Sequence, residues 1–351
     1  MKTKHMHYTN VDILRILASF MVILIHVAAG EWYTTDVASG EWAAMNFYDS
    51  AARSGVPIFF MISGMLFLSR DKCDAISKLL KNNILKLVVV YIVWATMYAI
   101  DTVGIHSLLA SRKAWVELIK SIIAGKYQLW FLPAMIGAYL LIPILFSLKE
   151  YKKGKYIFYT LVLFFVFGIL FSTVRSAFPN QKLLIVVIDK VKYELVGYSG
   201  YFLLGYYLFK KNIPKMKKPI IMAVFGVIVT VSTVIGRRVS MSAGEPKTTL
   251  YGYMTLPIFL EAILLFLLFI KWDIQVSAKT SKMISLISKC TLGIFLVHPF
   301  VIEHLDQWFG FSVLSFTAWF SVPIICVLVF VISTLVVMGL LKIPVVNKWL
   351  I

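Results

Sequence analysis

The sequence predicts an all-α fold: a polytopic bundle of about ten membrane-spanning helices, one domain over residues 1–351, with both termini in the cytoplasm. Three observations predict it. Of the 351 residues 60% are hydrophobic and only 15% charged, too little charge to cover a soluble domain of this length. The apolar residues fall into blocks of about 17–22, the length that crosses a bilayer core of about 30 Å at about 1.5 Å per residue. Lys and Arg are also distributed unevenly between the two sides of those blocks.

Taken in order, the blocks place spans at about 11–29, 54–69, 84–101, 128–148, 156–174, 195–209, 218–236, 251–271, 290–308 and 320–341. The sixth is interrupted by Gly200 and Gly205, the ninth by His298 and Pro299. The segments between spans are short, which points to one membrane domain. With the N-terminus inside, the cytoplasmic segments carry 22 Lys and Arg against 12 outside, and Arg15 lies within the first span. Asp and Glu run the other way, 5 against 11, with Glu261 inside a span. The positive-inside rule fixes this orientation. Most of the net charge of +18 then faces the anionic lipids of the cytoplasmic leaflet. Membrane lipids are the expected partner, and nucleic acid need not be invoked.

The N-terminus has some features of a signal peptide: Lys2 and Lys4, an apolar stretch, then Ala28, Ala29 and Gly30. Asp12 and Arg15 interrupt that stretch and many spans follow, so a retained first span is expected. The cysteines, Cys73, Cys290 and Cys326, show no CxxC spacing. Neither a disulfide framework nor a metal site is expected.

The first span carries a polar stripe. The eleven steps from Arg15 to His26 turn a helix by about 1100°, about 20° past three full turns, so both side chains share a face about 16 Å apart along the axis. Asp12, three residues before Arg15, and Ser19, four after it, complete the stripe. Arg15 can snorkel to headgroups while paired with Asp12. His26 lies past the middle of the span, where ionisable groups usually face a cavity and mark a pathway or site. Both groups are expected to look into one solvated tunnel.

Three further stretches stand out. Ser54–Phe67 places Ser63 and Gly64 mid-span, for close helix packing or for lining a substrate path. Leu129, Trp130 and Phe131 open the fourth span, with Trp130 an interfacial anchor by type. In the ninth span His298 precedes Pro299, whose missing N–H favours a kink with room for a ligand. Glu261 can pair with Arg15, orient a histidine, relay a proton, or stay neutral and hydrogen-bonded.

Together these elements resemble acyltransferase family 3, the multi-span membrane acyltransferases, over nearly the whole chain. The branch most resembled O-acetylates surface polysaccharides. The resemblance rests on Arg15 and His26, the Ser54–Phe67 stretch, Leu129-Trp130-Phe131, and Leu292–His298. It implies transfer of an acetyl group from cytoplasmic acetyl-CoA to a surface glycan or lipid-linked acceptor at a bacterial plasma membrane. Arg15 and His26 would be the essential pair. Histidine suits a general base or a covalent acyl carrier. Many members carry Arg-x-x-Arg before the third span, where this chain has Asn83-Ile84-Leu85-Lys86. Lys81 and Lys86 would then meet the phosphates of coenzyme A as point charges. Similar domains precede the racemase of vancomycin-resistance serine racemases, which makes L-serine movement the rival expectation.

Overall fold

The computed structural model describes residues 9–73, 75–181, 185, 188, 197–214, 216–272 and 274–350. Every regular element among them is helical. Helix α1, Thr9–Ala28, is followed by α2, Gly40–Ala52, whose cap Ser39 accepts the Trp42 N–H at 3.0 Å. After a two-residue break α3, Gly55–Leu68, continues the same traverse. Then come α4, Ile76–Val103, with a π-helical turn at Leu80–Ile84, and α5, Arg112–Ala124. Helices α6, Phe131–Leu140, and α7, Ile142–Glu150, meet at a bend of 44°. Helix α8, Lys155–Ala177, contains a second π-helical stretch at Phe164–Leu170. The remaining long helices are α9, Gly197–Lys210; α10, Lys218–Ala243; α11, Leu256–Ile270; α12, Ala278–Phe309; and α13, Ala318–Leu340, with short helical turns at Ile105–Ala110 and Pro344–Trp349.

This is the all-helical membrane bundle the composition predicts. Among the described residues seven helical stretches are long and apolar enough to cross a bilayer, and the bent α6–α7 pair makes eight. The two remaining expected spans fall on α9, of 14 residues, and α11, of 15. At about 1.5 Å per residue both are shorter than a hydrocarbon core of about 30 Å. The first two residues of the expected sixth span, 195 and 196, lie outside the described residues.

Helix α1 is the axis of the fold and touches α2, α3, α11, α12 and α13. The most apolar windows of α1 and α12 are 56% buried, those of α8 and α10 only 22%. A helix apolar all round but half-exposed presents that surface to lipid, so α8 and α10 are peripheral. The glycines read as interruptions of the sixth span have another role. A Cβ on Gly205 would stand 2.0 Å from the Met61 carbonyl oxygen, and one on Gly64 1.7 Å from that of Phe202. Backbones of α3 and α9 therefore touch at a reciprocal glycine contact, the small-residue packing membrane helices use. Pro299 does not end α12, which runs on to Phe309. Cys73, Cys290 and Cys326 are unpaired.

Candidate functional site

At the N-terminal end of α1, Arg15 opens onto a cavity of about 280 Å³ lined also by Ser63 of α3, Tyr139 of α6, and Ser288, Lys289 and Phe295 of α12. Ser288 organises this end. Its hydroxyl donates to Asp12 Oδ1 at 2.7 Å and accepts from Arg15 Nη1 at 3.4 Å. The expected Asp12–Arg15 pair is loose, 3.9 Å, because Ser288 stands between the two groups. One edge of the guanidinium is thus left for the cavity. Arg15 and Lys289 are the cavity's charged residues, and both are cationic.

At the other end of α1, His26 lines a cavity of about 500 Å³ with Glu31, Tyr33, Tyr127, Glu303, Asp306 and Ser312. Apart from the imidazole, every ionisable acid or base there except the tyrosines is a carboxylate. Tyr127 lies 4.8 Å from His26 between ring centroids. Burial and Glu303 push its hydroxyl above the usual phenol range, so it stays a neutral donor at physiological pH. Glu303 is held by Lys126 at 2.6 Å.

His298, fully buried, stacks on His26 at 5.2 Å and 24°. Its Nδ1 is 3.2 Å from the Ile294 carbonyl oxygen. A carbonyl only accepts, so Nδ1 carries the proton and Nε2 presents a lone pair. That Nε2 is buried and has no hydrogen-bond partner. The two histidines, far apart in sequence, thus meet in space.

The expected single tunnel does not appear among the described residues; Arg15 and His26 line two cavities. Between them stands an aromatic wall, with Phe131 5.3 Å from Phe295 and Phe295 6.1 Å from His298. Val22 lines the first cavity and His26 the second, four residues apart, or about 6 Å along the helix. The wall is about one turn thick.

The other expected residues scatter. Ser19 is buried and lines neither cavity. Lys81 is exposed and Lys86 half-buried, and neither lines the Arg15 cavity, where Lys289 stands instead. Trp130, which is exposed, packs 5.5 Å from Tyr253 and 5.3 Å from Tyr198. Glu261 is fully buried, and neither carboxylate oxygen has a hydrogen-bond partner of ordinary geometry.

The structure adds a pair that the sequence reading left outside the membrane. Because the second traverse begins at Gly40, Asp49 and Arg53 fall inside it. Arg53 Nη2 and Nε each approach Asp49 Oδ2 at 2.9 Å, and the guanidinium lies over the Tyr253 ring at 5.7 Å. Their i,i+4 spacing is the signal that was available.

The family model described as an acyltransferase domain matches residues 8–338. An amino-acid racemase of Enterococcus faecalis is 28% identical over 168 residues, 47% of this chain and 22% of that protein. The matched region thus spans about a fifth of the racemase's length. No solved structure matches the chain.

Proposed function

The chain belongs to the acyltransferase domain family, and on that premise we propose that it moves an acetyl group from cytoplasmic acetyl-CoA to a hydroxyl of a cell-surface glycan or lipid-linked precursor. Its setting in this reading is a bacterial plasma membrane, with the Arg15 end of α1 inside.

The sorting of charge between the two cavities carries the reading. Arg15 and Lys289 line one; Glu31, Glu303 and Asp306 line the other. A cationic cavity suits the anionic donor, whose phosphates and carbonyl groups meet N–H donors there. At about 280 Å³ it is near the lower end of ligand-pocket volumes, about 300–1,000 Å³. It therefore takes the narrow thioester arm and leaves the bulk of the donor outside. The larger cavity, with carboxylates and tyrosines as hydrogen-bonding walls, suits a polyhydroxylated acceptor.

The acetyl thioester reaches the top of the Arg15 cavity at Val22 and Phe295, about one helical turn below His26. The acceptor hydroxyl gives its proton to the His26 imidazole and its oxygen bonds to the thioester carbonyl carbon. The carbon–sulfur bond then breaks, and the departing thiolate takes the proton back from His26. Alternatively the imidazole attacks first and holds the acetyl group until the hydroxyl displaces it. His298, stacked on His26 with its tautomer fixed, holds the imidazole plane in either route.

The test is acceptor-dependent release of free coenzyme A from acetyl-CoA by the reconstituted chain. His26→Ala is expected to abolish release while the unfolding temperature stays within a few degrees; near-normal turnover in that variant would refute the assignment. The racemase similarity favours a second reading, movement of L-serine. It predicts serine uptake into proteoliposomes without acetyl-CoA.

A further inference from the structure

Arg53 carries an inference that rests on the proposed transfer at His26 and deepens it. Acyl transfer from a thioester places negative charge on the carbonyl oxygen in the tetrahedral intermediate, whichever nucleophile attacks. An enzyme stabilises that charge with a preorganised donor aimed at it. Arg15 is poorly placed for this, since it lies about 16 Å below His26 along α1 and lines the other cavity. Lys126 is committed to Glu303 at 2.6 Å.

Arg53 is placed differently. A Cβ on Gly55 would lie 2.9 Å from Met21 Cβ and 3.0 Å from the Ala18 carbonyl oxygen, so the start of α3 is level with the middle of α1. The α2–α3 traverse returns across the bundle after α1, antiparallel to it. At about 1.5 Å per residue Arg53 is then level with Val22 and Asp49 with His26. The guanidinium thus stands at the depth where the wall between the cavities meets His26.

Its own surroundings preorganise it. Nε and Nη2 both approach Asp49 Oδ2 at 2.9 Å, and the guanidinium also hydrogen-bonds Tyr253, so three of its N–H groups at most are committed and others remain. Tyr253 carries the guanidinium on its ring face, and that ring is backed by Trp130. Asp49 is fully buried and its Oδ1 has no hydrogen-bond partner. A buried ion pair costs desolvation that its attraction only partly returns, and charges at membrane depth usually serve a site.

We infer that Arg53, clamped by Asp49 and Tyr253, is the cation that stabilises the oxyanion during acyl transfer at His26. The carbonyl π pair moves to oxygen as the nucleophile bonds to carbon, and a guanidinium N–H of Arg53 meets that oxygen. The pair returns as the carbon–sulfur bond breaks. Arg53 neither gains nor loses a proton. Asp49 and Tyr253 are positioning residues.

The test uses the full chain in lipid nanodiscs, with kcat, KM for acetyl-CoA and unfolding temperature measured for Arg53→Gln, Arg53→Lys and the double variant Arg53→Gln, Asp49→Asn. Arg53→Gln is expected to lower kcat about 100- to 1000-fold, as loss of one oxyanion donor does. KM for acetyl-CoA should move by less than about threefold, the pattern of an interaction made only in the transition state. The double variant leaves no uncompensated charge buried, so it should unfold near the wild-type temperature yet stay as slow as Arg53→Gln. A double variant with wild-type kcat, or a loss in Arg53→Gln that falls wholly in KM, overturns the inference. If the neutral variants unfold, Arg53→Lys decides: reduced kcat at an unchanged unfolding temperature supports it, and wild-type kcat overturns it. Absence of acceptor-dependent coenzyme A release by the unaltered chain would refute the proposed function and this inference with it. Brisk release by folded Arg53→Gln would refute only the latter.

Discussion

Replacing Arg15 and His26 separately should split donor binding from transfer, because the two side chains line different cavities. Among the described residues Arg15 is held by long contacts of 3.4 Å to Ser288 and 3.9 Å to Asp12, and its guanidinium lines the cavity, where an anionic donor can meet it. A hydrogen bond to a charged group contributes about 1.5–3 kcal/mol, and removing it weakens binding by about 10- to 150-fold. The assay is thermal unfolding of purified protein against acetyl-CoA concentration. At about 100 times its Kd, the donor stabilises the wild type by about 2.7 kcal/mol. A tenfold weaker Arg15→Ala variant retains about 1.4 kcal/mol of that at the same concentration, and a hundredfold weaker one about 0.4 kcal/mol. His26→Ala should keep the full stabilisation. Equal losses in the two variants, or full donor stabilisation of Arg15→Ala, would refute the division of labour between the cavities.

Further predictions follow from the same contacts. Gly64→Ala puts a methyl where the Phe202 carbonyl oxygen lies 1.7 Å away, and forcing α3 off α9 should cost about 1–3 kcal/mol or more; an unchanged unfolding temperature contradicts the reciprocal glycine contact. Ser288→Ala removes the bridge between Asp12 and Arg15. Loss of about 0.5–1 kcal/mol should raise the Kd for acetyl-CoA about two- to fivefold, as read by titration. Phe295→Ala thins the wall between the cavities. Acetyl-CoA hydrolysis without acceptor should then rise at least about threefold as water reaches the thioester; hydrolysis at the wild-type rate argues that the ring is no barrier.

The legibility of this molecule in its sequence follows from what each signal depends on. Helical membrane architecture is a matter of block length and apolarity, so composition reveals it. The facing of Arg15 and His26 depends only on helical periodicity, and so was readable. Interior helices were harder: the described part of α9, 14 residues, and α11, 15 residues, are each shorter than a bilayer core. Glycines that pack two backbones together look in the sequence like glycines that break a helix, which is why Gly205 misled. Lys289, and neither Lys81 nor Lys86, lines the Arg15 cavity, because α12 reaches Arg15 through Ser288. Asp49 and Arg53 were missed because a polar α2 hides the beginning of its traverse. Only the structure shows Gly40–Leu68 crossing as one unit.

The central claim, that donor and acceptor meet near His26 from opposite ends of α1, is tested most directly with sided proteoliposomes. The chain is reconstituted in one orientation, radiolabelled acetyl-CoA is supplied only to the Arg15 face, and a membrane-impermeant oligosaccharide is enclosed on the His26 face. Labelled O-acetyl ester on the enclosed oligosaccharide, lost in His26→Ala, is the predicted result. Label transferred only when donor and oligosaccharide share one side would contradict the account.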